Sequence, residues 1–371
     1  MSDLLFKGAD WDFSTIQRIH DVCADVAERE LGLSVYPNQI EIITSEQMLD
    51  AYSSVGMPLY YKHWSFGKQF AQNEAMYRKG LQGLAYEIVI NSSPCISYLM
   101  EENSATMQTL VIAHAAFGHN HFFKNNYLFK QWTDADGILD YLGFAKNYVA
   151  QCEERYGRVA VEQTLDAAHA LMSQGVDRYP GKKKLDLRSE EKRARERRSH
   201  AEASFNELWR MVPAGPTKSA GELTAERRRT MLGLPQENLL YFLEKSAPRL
   251  QAWQRELLRI VRHIAQYFYP QGQTKVMNEG TATYVHYRIM SRLHQQGNLS
   301  DGNYLEFLQS HTNVVFQPGF DDPRFSGFNP YALGFAMMQD IERIVSDPTE
   351  EDREWFVDIA GKGDVMGVLR D

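Results

Sequence analysis

The sequence predicts an α+β fold, predominantly helical, with a small mixed or antiparallel sheet in the N-terminal half. Two observations carry this. Apolar residues recur near a 3.6-residue period over 11–31, 137–174, 253–268 and 278–295, as they do on the buried face of a helix. Two short runs early in the chain, 36–44 and 85–91, are instead rich in β-branched residues, and the second alternates in strand fashion.

In order, Ile16, Ile19, Val22, Val26 and Leu31 mark the first helix, with Ser14 as its expected cap and Gly32 as its stop. Tyr36-Pro-Asn-Gln-Ile-Glu-Ile-Ile-Thr44 reads as a strand, and the run from Ser45 as a capped helix. Ala85-Tyr-Glu-Ile-Val-Ile-Asn91 reads as a second strand. Ser93-Pro-Cys is expected to open a helix running to about 103, with Pro94 in its first turn. A further helix covers 105–121. Between Gly137 and Gln174, Leu139, Phe144, Val149, Val159 and Leu165 are core candidates.

At 181–198 the composition turns to Lys, Arg and Glu. Interspersed acids break the single-sign field a nucleic-acid patch requires, so a solvated helix with Glu–Arg pairs is expected. Residues 211–227, with Pro213, Gly215, Pro216 and Gly221, read as a linker. Helices then follow over 239–245, 253–268, 278–295, 300–310 and 331–345. The expected division is 1–180, an α+β region; 181–235, a charged helix and linker; and 236–371, a helical region.

The 371 residues are too many for one simple core, and 43% hydrophobic with 24% charged residues is ordinary globular composition. A net charge of -8 gives no global footprint for nucleic acid. Cys23, Cys95 and Cys152 are far apart, which suits a reducing compartment. Cys95 is expected to be a buried, inert thiol. The first residues lack an apolar core for a signal peptide and no run is long enough to span a bilayer, so a cytoplasmic protein is expected. There is no P-loop, no GxGxxG after a strand and no GxSxG elbow, which argues against nucleotide binding and serine hydrolysis.

The densest chemical signal lies at 111–126, Val-Ile-Ala-His-Ala-Ala-Phe-Gly-His-Asn-His-Phe-Phe-Lys-Asn-Asn. His114, His119 and His121 fall within eight residues, and crowded imidazoles suggest a metal such as zinc or iron. Downstream, Glu279 and His286 in 276–286 are seven apart, within roughly 20° on one helical face. His114 and His119 are five apart, roughly 140° around an ideal α-helix, so they converge only through a one-residue bulge or a break near Gly118. His263 and Gln266 are candidates to face the same cavity. Lys124, Asn125 and Asn126 suit a helix C-terminus better than an anion site; His63 is expected to be a loop residue packed on Trp64, and His20 and His311 ordinary surface or packing residues.

Taken together, Tyr61-Lys-His-Trp-Ser-Phe-Gly-Lys68, Tyr98-Leu-Met-Glu-Glu-Asn103, the His114–Asn126 segment, Gln266-Tyr-Phe-Tyr-Pro270, Met277-Asn-Glu-Gly280 and Asn329-Pro-Tyr-Ala-Leu-Gly-Phe335 resemble the SpoVR family along nearly the whole chain. Three positions depart from that pattern. Thr281 stands where relatives carry Trp, Val285 where they carry a bulky aromatic, and His121 where they carry Ser or Asp. The resemblance implies a role in spore cortex formation, or in stationary-phase stress beside a serine protein kinase and a von Willebrand-like partner.

Asn278-Glu-Gly-Thr-Ala is in addition similar to the third-ligand helix of gluzincin metallopeptidases. That likeness implies a zincin-like helical core, with His114, His119 and Glu279 as metal ligands and His286 as a fourth ligand or outer partner. Zinc is the expected ion and iron the second choice. Ala115 and Ala116 occupy the place of the usual base, so Glu101 or Glu102 is the expected acid/base group. The expected function is a metal-dependent hydrolase. The alternative is a non-catalytic scaffold or effector in the kinase-linked pathway, with the same cluster as a structural metal site or polar core. A ferritin-like di-iron site is a weaker third, for want of a clean Glu-x-x-His pair.

Overall fold

The computed structural model describes residues 4–54, 56–79, 86–178 and 238–367. The stretches 181–198 and 211–227 lie outside them. The chain divides into two compact units, Met1–Thr164 with Gln266–Asp371, and Leu165–Ala265.

In the second unit, the helix Leu239–Ser246 is capped by Asn238, whose side chain accepts from the Tyr241 amide. Its Glu244 carboxylate is buried and pairs with Arg259 and Arg262 on the helix Ala252–Gln273.

The first unit holds a three-stranded mixed sheet: β1 (Asn38–Ile43), β2 (Glu87–Ile90) and β3 (Cys95–Met100), in the order β1-β3-β2. β3 runs parallel to β1 and antiparallel to β2. The helix expected from Pro94 onward is therefore a strand, and the central one. Every residue of β3 is buried, so the polar–apolar alternation that betrays a half-exposed strand is missing. Glu87 pairs with Leu99 and Val89 with Ser97, which puts these four side chains on one face of the sheet. Leu99 and Val89 pack into the main core with Val111, Ala115 and Phe117, so Glu87 stands on the face turned toward the histidine segment.

That segment is one continuous helical rod with a changing pitch. Ser104 caps Ala105–Ile112, a π-helix follows over Ala113–His119, and α-helix returns over Asn120–Asn125. The one-residue irregularity required for His114 and His119 to converge is thus a π-helical turn, where the i→i+5 ladder brings residues five apart nearly onto one face. Another π-helical turn, Val26–Glu30, closes the first helix. That helix runs Phe13–Asp25 and is capped by Asp12, with Ser14 donating to the same carboxylate. Gly157, at φ 85°, splits the 137–174 region into Ile138–Tyr156 and Arg158–Ala170.

The helix Lys275–Gln295 runs through the interior and is buried from Gly280 through His286. Small residues let it approach its neighbours closely. A Cβ on Gly118 would lie 2.6 Å from the Ala282 Cα, and one on Gly280 would lie 2.4 Å from the Gly334 carbonyl carbon. Gly334 belongs to the helix Pro330–Ser346, which Asn329 caps. Glu279 directly precedes the second of these contacts. Thr281 faces Met338, 3.8 Å from its sulfur, and Val285 is in the main core. Both are packing residues.

Among the described residues, no helix is long and apolar enough to cross a membrane.

Candidate metal centre

His114, His119 and Glu279 meet in the first unit, each offering a ligand atom within 4.8 Å of the others. The Glu279 Oε2 lies 3.9 Å from His114 Nε2 and 3.6 Å from His119 Nε2. Hydrogen-bond partners fix what those atoms are. The Asn278 Oδ1 can only accept, so His119 donates its Nδ1–H to it at 2.9 Å, leaving Nε2 as a bare lone pair. His114 hydrogen-bonds the Ala282 carbonyl, which again only accepts. Its Nε2 has no hydrogen-bond partner, so the proton is on Nδ1. Two imidazole lone pairs and a carboxylate oxygen therefore converge, and the Glu279 Oε2 also has no hydrogen-bond donor.

Buried acceptors without a donor are costly, of order 1–3 kcal/mol each. A divalent cation relieves His114 Nε2 and Glu279 Oε2 at once and takes the His119 Nε2 lone pair as a third donor. A tetrahedral ion with bonds of about 2.0–2.1 Å holds its donors about 3.4 Å apart. Small side-chain rotations bring the observed atoms to that spacing, so the residues fit the ion.

Further groups complete the surroundings. Glu87 presents Oε1 3.8 Å from His114 Nε2. Burial, and then the charge of Glu279, push its carboxyl up to about 8. The Tyr331 hydroxyl is held protonated by burial and by both carboxylates, and it hydrogen-bonds Glu279. The Tyr331 ring stacks on His114 with centroids 6.3 Å apart. The Glu87 and Glu279 side chains keep 19% and 16% exposure against 4% for His114, so the group meets solvent on its carboxylate side.

His286 is not in the ligand group. Its Nδ1 is 2.9 Å from His114 Nδ1 and its Nε2 is 2.9 Å from His311 Nδ1. Both ring nitrogens are engaged by other imidazoles, which leaves no lone pair for an ion. Burial lowers the basicity of His114 and His286 well below the ordinary histidine value, and that of His311 to about 4.

Glu101 and Glu102 are on the turn after β3, exposed, and line a separate hollow with Asp10, Trp11 and Ser104. They form no part of the histidine cluster. Glu87, which read as the polar position of an alternating strand, takes the place expected for them. His121 accepts from the Ser34 amide at 3.0 Å and anchors a loop. Lys124 and Asn125 donate to the Val35 and Ser34 carbonyls. His263 belongs to the second unit, in the field of Arg262 and Glu244. The Cys95 thiol is pushed up to about 12 by burial, as expected of an inert thiol.

A family model described as "SpoVR like protein" matches residues 10–370. The chain is 57% identical over 357 residues to a protein of Escherichia coli (strain K12) described as "Uncharacterized protein YcgB", covering 96% of this chain and 69% of that one. No solved structure matches.

Proposed function

The chain belongs to the SpoVR-like protein family, and we propose that it acts there as a metal-dependent hydrolase of peptide-like or cell-wall-derived amides. His114, His119 and Glu279 would hold the ion, zinc in first place. The observation that carries this reading is the convergence of the His114, His119 and Glu279 ligand atoms, with His114 Nε2 and Glu279 Oε2 buried and without a hydrogen-bond partner. Two histidines and one glutamate are the donor set of several zinc peptidases, and three protein ligands are the pattern of a catalytic rather than a structural zinc site. The bound ion would supply Lewis-acid polarisation of an amide carbonyl.

The chain's own residues supply the rest. Asn278 orients His119 through its Nδ1–H, and the Ala282 carbonyl does the same for His114. Tyr331 donates to Glu279 and holds its carboxylate. Glu87, on the solvent side and within 4 Å of the ligand set, is placed to move a proton to or from substrate. The physiological setting we infer from the family is spore cortex formation or stationary-phase stress, with a serine protein kinase and a von Willebrand-like protein as partners.

The test is hydrolysis of a panel of peptides and cell-wall amides by zinc-loaded protein. Turnover should be lost in Glu279→Gln and sharply reduced in Glu87→Gln. A zinc-loaded chain that cleaves none of the panel would refute the hydrolase reading.

A further inference from the structure

The site does not end at His114. Three imidazoles follow one another away from the ligand set: His114, His286 and His311, on the π-helical turn, the helix Lys275–Gln295 and the helix Asp301–Val314. Each step is a 2.9 Å nitrogen–nitrogen contact. The three residues are 3%, 2% and 6% exposed, so water does not compete for the contacts. His311 is boxed by Phe335, Tyr287 and Phe307, with ring centroids 4.9, 5.1 and 5.7 Å away. These rings fix the imidazole plane and offer its Nδ1 no other partner.

The direction of the chain follows from its first member. As a ligand through Nε2, His114 must carry its proton on Nδ1, the nitrogen that contacts His286. That proton faces His286 Nδ1, which must therefore be the bare, accepting nitrogen. A neutral imidazole carries one proton, so the His286 proton is on Nε2. It is donated to His311 Nδ1, and His311 carries its own proton on Nε2. One orientation satisfies every contact, and it leaves the Nε2 lone pair of His114 aimed at Glu279. The opposite orientation sets two N–H groups against each other or puts the His114 proton on Nε2, the nitrogen the ion would need bare.

We propose that His286 and His311 are positioning residues, a relay of imidazole hydrogen bonds that locks His114 in the tautomer whose Nε2 binds a divalent cation. The relay rests on the reading of His114 as a ligand. It assigns His311, more than one residue removed from the ion, a share in the affinity of the site. Outer partners of metal-bound histidines orient the ring and raise its basicity, and their loss typically costs about 10–100-fold in affinity.

The experiment uses zinc itself, titrated against a chromogenic chelator, with the whole chain. His311→Phe keeps the aromatic packing and removes the acceptor. It should weaken zinc binding about tenfold, the lower end of the range for outer partners. His311→Asn puts a carbonyl oxygen where Nδ1 was and should restore most of the loss. Equal affinity in His311→Phe and the unaltered chain overturns the relay, as does equal loss in both variants.

A second measurement needs no substitution. Long-range proton–nitrogen spectra of histidine-labelled, zinc-loaded chain should show Nδ1–H for His114 and Nε2–H for His286 and His311. A proton on His286 Nδ1 overturns the relay while leaving the metal site standing. If the unaltered chain binds no zinc, the metal site falls and the relay with it.

Discussion

Gly334→Ala tests how Glu279 is positioned. A Cβ at Gly334 would lie 2.1 Å from the Val276 carbonyl oxygen and 2.6 Å from the Gly280 Cα. Both are backbone atoms, so no side-chain rotation relieves the clash. The helices Lys275–Gln295 and Pro330–Ser346 must part by about 1 Å to restore ordinary contact. Overpacking of this kind costs typically about 1–3 kcal/mol. Against it, Gly→Ala within a helix gains about 1 kcal/mol in propensity, so the sign of the net change discriminates. Gly143 is the control: it is exposed inside the helix Ile138–Tyr156, and an added Cβ meets nothing within 4 Å. Urea unfolding should show Gly143→Ala stabilised by about 1 kcal/mol and Gly334→Ala not stabilised but destabilised, by up to roughly 2 kcal/mol net. Because Gly280 adjoins Glu279 and Gly334 lies one turn from Tyr331, the same variant should also bind zinc more weakly. A Gly334→Ala chain as stable as wild type, with unchanged zinc affinity, would refute the close-contact argument.

The other predictions concern the site and its acid response. The double variant Glu101→Ala, Glu102→Ala should keep the metal content and unfolding midpoint of the unaltered chain, because both side chains lie on an exposed turn away from the cluster; lost metal would return them to the site. Glu87→Gln should retain zinc with sharply reduced turnover, and loss of zinc instead would make Glu87 a ligand. Burial holds the folded pKa of His311 at about 4, below the unfolded value near 6.5. As pH falls through that window the unfolded chain takes up a proton that the folded chain does not, so stability should drop between about pH 6.5 and pH 4. Denaturant midpoints across that range should fall less steeply in His311→Asn, and an identical slope would contradict the assignment.

Much of the helical framework was legible because its periodicity is a surface effect: one face meets water, and the pattern records it. The strand Cys95–Met100 was not, because it is buried on both faces and Pro94 imitates a helix start. The π-helical turn was legible as a requirement. Histidines five apart cannot share an α-helical face, so a common site demanded an irregularity between them. Glu87 could not be singled out from its own segment. In an alternating strand a glutamate marks the solvent side, and only the pairing with Leu99 turns it toward the histidines. His311 and Tyr331 were hidden for a related reason, since each reads as an ordinary member of an amphipathic helix. Glu279 and His286 do both reach His114, but on opposite nitrogens of its ring, which spacing along one helix cannot show.

The most direct test of the metal centre is elemental analysis of the chain purified without chelator and reconstituted with zinc, beside folded His114→Ala and Glu279→Ala variants. The converging acceptor atoms predict close to one divalent ion per chain, lost in both variants although the two residues are far apart in sequence. A chain that remains metal-free after reconstitution, or variants that keep their ion, would contradict it.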